Sequence, residues 1–272
     1  IDLDLDEPVL QDPRVRRALV YAIDRERLTE ALFEGRQPPA LHFQAPASPW
    51  YTDDPEKIVV YEHSRRTAAE LLDEAGWTLG EDGLRYDQQG TPLRLTLSTT
   101  AGNKMREIVQ VYLQDQGRAI GVDTRIQNGP ARIFFGQTIR RRLFDGAAMY
   151  AWIQSPELSP RPTVHSTQIP SEANGWSGQN NPGWASPRVD WLVEALEAEF
   201  DAGKRLALIH EILWHYTSEV PVIPLYYRSE NSVTPANLTG YRVTAHQVYA
   251  TNHVERWNLE QVPAERVGKT GP

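Results

Sequence analysis

Residues 144–187 read FDGAAMYAWIQSPELSPRPTVHSTQIPSEANGWSGQNNPGWASP, and the reading of this stretch decides the fold. The apolar run at 147–152 has the composition of a short buried strand bounded by turn formers. From 153 to 186 no helical periodicity follows, and Pro, Ser, Asn, Gln and Thr recur. A segment this long without regular structure is unusual in a compact domain and is either disordered or functional. Disordered tracts are poor in aromatics, whereas this one holds Trp176 and Trp184. It therefore reads as an ordered loop that leaves the carboxyl end of a strand and lines a ligand cleft. Ligands sit at that end of open α/β sheets, in clefts lined by aromatics with a few polar groups.

Working outward, residues 1–7 of IDLDLDEPVL alternate apolar and acidic, as a half-buried strand does. Asp12-Pro13 reads as a helix cap followed by proline at the first helical position. The helix that follows places Val15, Ala18, Leu19, Ala22 and Ile23 on one face. Asp24 caps a second helix, which Gly35 closes, and Ser64 begins a third, which Gly76 stops. Residues 84–86 and 93–99 flank a turn at Gly90 and read as a hairpin. A long amphipathic helix is predicted over 104–120, with Ile108, Val109, Val111 and Tyr112 near its buried face. A strand at 122–126 and a helix at 130–140 precede the decisive stretch, and helices at 187–200 and 202–217 follow it. PVIPLYYR at 221–228 reads as an apolar strand. Strands alternating with helices of this length predict an α/β fold.

Composition narrows the function. The chain has 272 residues, and 28 Lys and Arg against 36 Asp and Glu leave a formal charge of −8. That balance argues against a nucleic-acid surface, which needs clustered cations. The one basic run, Arg140-Arg141-Arg142, is expected to face solvent at a helix end. No apolar run approaches the ~20 residues of a membrane span, so direct membrane insertion is not expected. An opening strand with no basic-then-apolar lead-in reads as an internal start within a longer, truncated polypeptide. With no cysteine there is no disulfide, thiolate metal site or Cys nucleophile.

No enzyme signature survives inspection. His210-Glu211 and His215 are spaced HExxxH, so the imidazoles diverge on a helix and do not share a metal. Gly175-Trp176-Ser177-Gly178 is followed by Gln179 and lacks the second glycine of a nucleophile elbow. No phosphate-cradling glycine motif occurs. We therefore assign no catalytic residue, no metal and no cofactor. What remains is binding: Trp152, Trp176, Trp184, Tyr226 and Tyr227 offer flat apolar faces, with Gln154, Ser155, Asn180 and Arg228 as polar anchors.

Five stretches carry a family resemblance: DPRVRRALVYAIDRERLTEALFEG, RRTAAELLDEAGW, FDGAAMYAW, SPRVDWLVEALEAEFD and PVIPLYYR. The chain resembles the carboxy-terminal half of the bacterial extracytoplasmic solute-binding proteins of the oligopeptide/dipeptide/nickel type, which feed ABC importers. The resemblance implies a type II periplasmic-binding-protein-like fold, with a mixed sheet flanked by helices, as a fragment of a two-lobed protein. It implies that residues 1–10 cross from lobe I, 11–228 form lobe II and 229–272 return to lobe I. It also implies a periplasmic or extracytoplasmic location, a signal peptide in the preceding part, and as partners a peptide or small-molecule ligand and the permease's transmembrane subunits.

In peptide-binding members of the family, an acidic residue after the strand's tryptophan pairs with the ligand's amino terminus. Here the tryptophan matches Trp152 and the acidic position falls on Ser155, with Glu157 two residues on. A neutral hydroxyl cannot supply the charge-assisted bond that an ammonium favours. The same fold also serves as the sensing domain of transcriptional regulators. A serine or metal-dependent hydrolase is the third reading, resting on Ser177 or His210 and His215.

Overall fold

The computed structural model describes residues 1–153, 158–229, 231–243 and 250–260. The chain divides into two compact units, residues 1–151 with 159–227 and residues 152–158 with 228–272.

The larger unit is built on a four-stranded sheet. Its strands are β1 (Asp2–Leu3), β4 (Arg94–Thr100), β5 (Asp123–Gly129) and β6 (Gly146–Ala148), in the order β1-β6-β4-β5. β4 runs parallel to both β5 and β6, and β1 closes the edge antiparallel to β6. The sheet is therefore mixed, and the three parallel strands end on one edge. β2 (Thr78–Leu79) and β3 (Arg85–Tyr86) form a separate antiparallel pair.

Helix starts follow local chemistry. After the single turn α1 (Pro8–Gln11), Asp12 accepts from the Arg14 amide to begin α2 (Pro13–Ala22). Asp24 does the same for α3 (Arg25–Phe33), Ser64 for α4 (Arg65–Glu74) and Asn103 for α5 (Lys104–Arg118). Each such side chain satisfies an amide that the first turn leaves unpaired. Beyond β5 lie the short α6 (Ala131–Ile133), a π-helical turn (Phe134–Ile139) and then β6. α7 (Arg161–Val164) precedes two 3-10 turns, and α8 (Pro187–Ala198) and α9 (Ala202–Glu219) pack as a pair. One core gathers α2 to α5 against β4, with Val15, Ala18, Leu72, Leu97 and Val109 buried in it. A second core fills the space between α8 and α9 and takes in Trp50 and Trp184.

In the smaller unit β7 (Leu238–Thr239) pairs antiparallel with β8 (Asn258–Leu259). Asn237 Nδ2 donates to the Glu260 carbonyl at 2.6 Å, and the rings of Tyr241 and Trp257 lie 5.3 Å apart.

Several expectations are corrected. The acidic residues of the first strand point inward: Asp2, Leu3 and Asp4 are all buried, because both faces of β1 are covered. The hairpin at Gly90 does not form as a pair of equal strands. β3 pairs with β2, only a single bridge joins Tyr86 to Pro92, and the next strand continues into the main sheet. On α5 the buried side carries Val109, Gln110, Leu113 and Gln116, while Ile108 and Val111 are exposed. Gln110 enters because its amide donates to the Leu97 carbonyl and to Asn128 Oδ1, both at 2.9 Å. The helix expected at 130–140 is mostly π-helical, and the strand expected at 147–152 ends at Ala148. PVIPLYYR makes isolated bridges, Asp2 with Val222 and Pro39 with Tyr226, instead of a ladder. Its two prolines lack the amides that a ladder needs.

β6 begins at a glycine for a steric reason. Gly146 has φ +91, and a Cβ there would lie 3.0 Å from the Thr96 carbonyl oxygen across the parallel pair. Gly146→Ala is expected to cost at least about 1–2 kcal/mol, from the left-handed backbone alone. Urea unfolding measures it, and an unchanged midpoint would contradict the strain.

Candidate functional site

The parallel strands deliver three segments to one edge: the turn after Thr100, the Pro130 entry to the π-helical turn, and the Met149-Tyr150 exit from β6. Tyr150 is fixed at both ends. Its hydroxyl donates to the Asp2 carboxylate and accepts from Asn181 Nδ2 at 2.8 Å. Its ring meets Phe134 at 6.1 Å and Phe135 at 5.9 Å, edge to face in both cases. Phe134 is buried, while Phe135 remains 44% exposed. Both rings lie on the π-helical turn, where successive residues point in different directions around the axis.

A second link lies beside the first. Arg142 Nε donates to the Asn181 carbonyl at 2.8 Å, and Nη2 reaches the Pro182 carbonyl at 3.3 Å and Asp4 Oδ1 at 3.2 Å. Nη1 lies 2.9 Å from Asp6. Arg142 therefore does not face solvent as the basic run implied; its side chain is 12% exposed. The approach is close enough that a Cβ on Gly183 would fall 2.2 Å from Nη2. Arg140 and Arg141 stay exposed, and Arg141 stacks on Trp176 at 5.2 Å.

Burial sets the electrostatics here. Desolvation pushes the Asp2 carboxyl up, opposed by its hydrogen bonds from Tyr150 and Asn181. Desolvation likewise raises Asp4 to about 6, against the Asp6 amide and Arg142, which favour its charged form.

The sequence-derived residues fall in several places. Gln154, Ser155 and Glu157 lie outside the described residues. Trp152 is 43% exposed and Arg228 is exposed; both belong to the smaller unit. Trp176 is half-buried with a left-handed backbone, φ +61, held by its amide on the Ser171 carbonyl at 2.8 Å. Tyr226 packs on Phe33 at 4.8 Å. The Tyr227 hydroxyl accepts from the Leu41 and His42 amides, and burial pushes its pKa up to about 12.

Two residues are engaged within the fold. Asn180 is wholly buried: its Nδ2 donates to the His165 and Trp184 carbonyls and its Oδ1 accepts from the Trp184 amide. Trp184 sits in the second core, with Nε1 donating to Glu219 at 2.7 Å. The groups that sequence reasoning missed are Phe135, Arg142, Tyr150 and Asn181. The acidic alternation at 2, 4 and 6 was the available signal, since buried carboxylates require donors elsewhere in the chain.

The hydrolase candidates are dispersed. Ser177 is exposed with its amide donating to Asn174 Oδ1, and His215 pairs with Glu219 at 3.1 Å. Among the described residues no group of three or more His, Asp or Glu is placed to hold a metal. Among them, too, no helix is long and apolar enough to cross a membrane.

A mixed α/β sheet thus places aromatic and polar groups at the carboxyl edge of its parallel strands, where open α/β sheets take ligands. Residues 1–170 match the family described as bacterial extracellular solute-binding proteins, family 5 Middle, and the chain belongs to that family. It is 27% identical over 252 residues to the oligopeptide-binding protein AppA of Bacillus subtilis, covering 92% of this chain and 45% of that protein. It is 27% identical over 225 residues to the nickel-binding periplasmic protein of Escherichia coli, covering 82% of this chain and 41% of that protein. The oligopeptide-binding protein of Thermus thermophilus, solved with a pentapeptide, superposes with a TM-score of 0.82 at 28% identity, over 90% of this chain and 43% of that one. AppA with a nonapeptide gives 0.81 at 26% identity, over 96% and 50%. The chain thus spans half or less of the length of these relatives.

Two outcomes test the site's framework. Asn180→Ala is expected to destabilise by about 1–3 kcal/mol for each partner left without a bond, and thermal unfolding reads it. For Asp4, the folded protein holds the proton more tightly than the unfolded chain, whose carboxyl stays near 3.8. The group therefore costs stability above about pH 6, and the cost fades as pH falls toward 4. Relative to Asp4→Asn, the wild type should gain stability on acidification across that window. A constant difference would show an unshifted carboxyl.

Proposed function

We propose that this chain is the ligand-binding portion of an extracytoplasmic solute-binding component of an ABC importer, and that its ligand is a peptide. The observation that carries the reading is the fixed aromatic and polar edge around Tyr150, in a chain of the solute-binding family. The named relatives that bind oligopeptides support the choice of ligand. In this reading residues 1–10 cross from lobe I, 11–228 form lobe II and 229–272 return to lobe I. The ligand is enclosed when this portion closes against the rest of the protein, and a permease reads the closed state. The chain carries its ligand without transforming it and works outside the cytoplasm.

Trp152, Trp176, Tyr226, Tyr227 and Arg228 remain the contacts proposed from sequence, together with Gln154 and Ser155. Asn180 leaves the set because its carboxamide is consumed within the fold. Ser155 carries no charge, so the ligand's amino group is not read through an ion pair at that position.

Calorimetry and thermal shift on the full-length protein with free and amino-acetylated pentapeptides test this reading. A binder present at about 100 times its Kd should add about 2.7 kcal/mol of stability. Acetylated and free forms should bind within about threefold of each other, a difference under 1 kcal/mol. A preference of tenfold or more for the free amine, about 1.4 kcal/mol, would put an acidic group back at the amino end. Failure of every peptide would overturn the peptide reading.

A further inference from the structure

We propose that Phe135, backed by Tyr150, forms the wall of an apolar subsite that takes an aromatic or large aliphatic side chain of the bound peptide. This deepens the reading above and rests on it. Three observations converge. First, the pair lies at the carboxyl edge of the parallel strands, one on the turn after β5 and one just beyond β6, which is where a ligand approaches such a sheet. Second, Phe135 is 44% exposed although its neighbour Phe134 is 1% exposed. The π-helical turn thus seats one ring as an anchor and holds the other outward. Third, the exposed ring does not hang loose. It meets the Tyr150 ring at 90°, and Tyr150 is itself pinned by Asp2 and Asn181.

Rings held this way cost little ordering entropy when a ligand arrives, so their apolar area converts efficiently into affinity. The incoming group is expected to complete an edge-to-face cluster of rings, the geometry aromatic pairs favour. A carboxylate finds no donor on the Phe135 ring and a lysine gains at most a cation–π contact of about 0.5–1 kcal/mol there, less than the burial of a large apolar side chain provides. The subsite therefore selects peptides by side-chain type, independently of how the peptide's ends are bound.

The test uses the full-length protein and calorimetric titration of alanine pentapeptides carrying one phenylalanine, leucine, lysine or glutamate at each position. For at least one position the wild type should favour phenylalanine or leucine over lysine or glutamate by about tenfold. Phe135→Ala should erase that preference, whatever affinity remains for the all-alanine peptide. Phe135→Leu should keep the preference for leucine and lose that for phenylalanine, and thermal melting shows that both variants are folded. A preference missing from the wild type, or surviving Phe135→Ala, overturns the subsite while leaving peptide binding intact. A change in oligomeric state on Phe135→Ala with the preference unaltered also overturns it, because the ring would then belong to a subunit contact. If none of these peptides binds, the subsite falls together with the peptide reading.

Discussion

Arg142 meets Asp4 where the chain's opening segment passes beneath the return of the long loop, and much of the larger unit depends on that meeting. Asp4 is buried, and a buried carboxylate without a donor is unfavourable enough to unfold or neutralise. The guanidinium supplies the donor and also collects the Asn181 and Pro182 carbonyls, so one side chain joins the opening segment to a loop about 180 residues away in sequence. Asp2 repeats the arrangement with Tyr150 and Asn181. Between them the two carboxylates fix where β1 lies, where the loop returns and how Tyr150 is oriented. Removing one partner of such a pair costs more than the pair contributes, because the other charge stays buried.

The same device recurs away from the sheet edge. Arg16 donates to the carbonyls of Leu10, Gln11 and Glu219, and Arg25 to those of Ala40 and Tyr61. Arg85 reaches the carbonyls of Ala69, Trp77 and Ile120. Apart from Ala69 inside α4, these carbonyls lie at helix ends or in irregular segments, where no helix or ladder satisfies them. Burial depresses the pKa of Arg16 and Arg25 from its very high ordinary value. A planar fork of five donors suits this task better than an ammonium. These bonds give buried carbonyls outside the regular hydrogen-bond ladders a donor.

What could be read from sequence follows a physical line. The caps at Asp12, Asp24 and Ser64 were legible because capping is local: one side chain, two or three residues from its amide. The α/β class was legible from the alternation of strands and helices, and the mixed sheet only through the family resemblance. The pairing of β3 with β2 was not, because strand partners are set by the whole sheet. The burial of Gln110 was not either, since polarity misleads when an amide finds a carbonyl inside. That residues 158–186 are built into the fold was partly visible in their tryptophans. Yet Trp184 proved to be core and Asn180 a brace, while the rings at the sheet edge, Phe135 and Tyr150, attracted no notice. Aromatic residues look alike in a sequence whether their neighbours cover one face or two.

The π-helical turn at Phe134–Ile139 holds one residue more than an α-helical turn would over the same path. A one-codon deletion inside it converts the turn to ordinary helix and rotates the preceding side chains by about 100°. Phe135 would then leave the sheet edge while the strands on either side kept their register, a displacement that a structure of the deletion variant would reveal or refute. The selectivity of this edge is thus open to inheritance by insertion and deletion as well as by substitution. Related genes could exchange one ligand preference for another in a single step without rebuilding the scaffold.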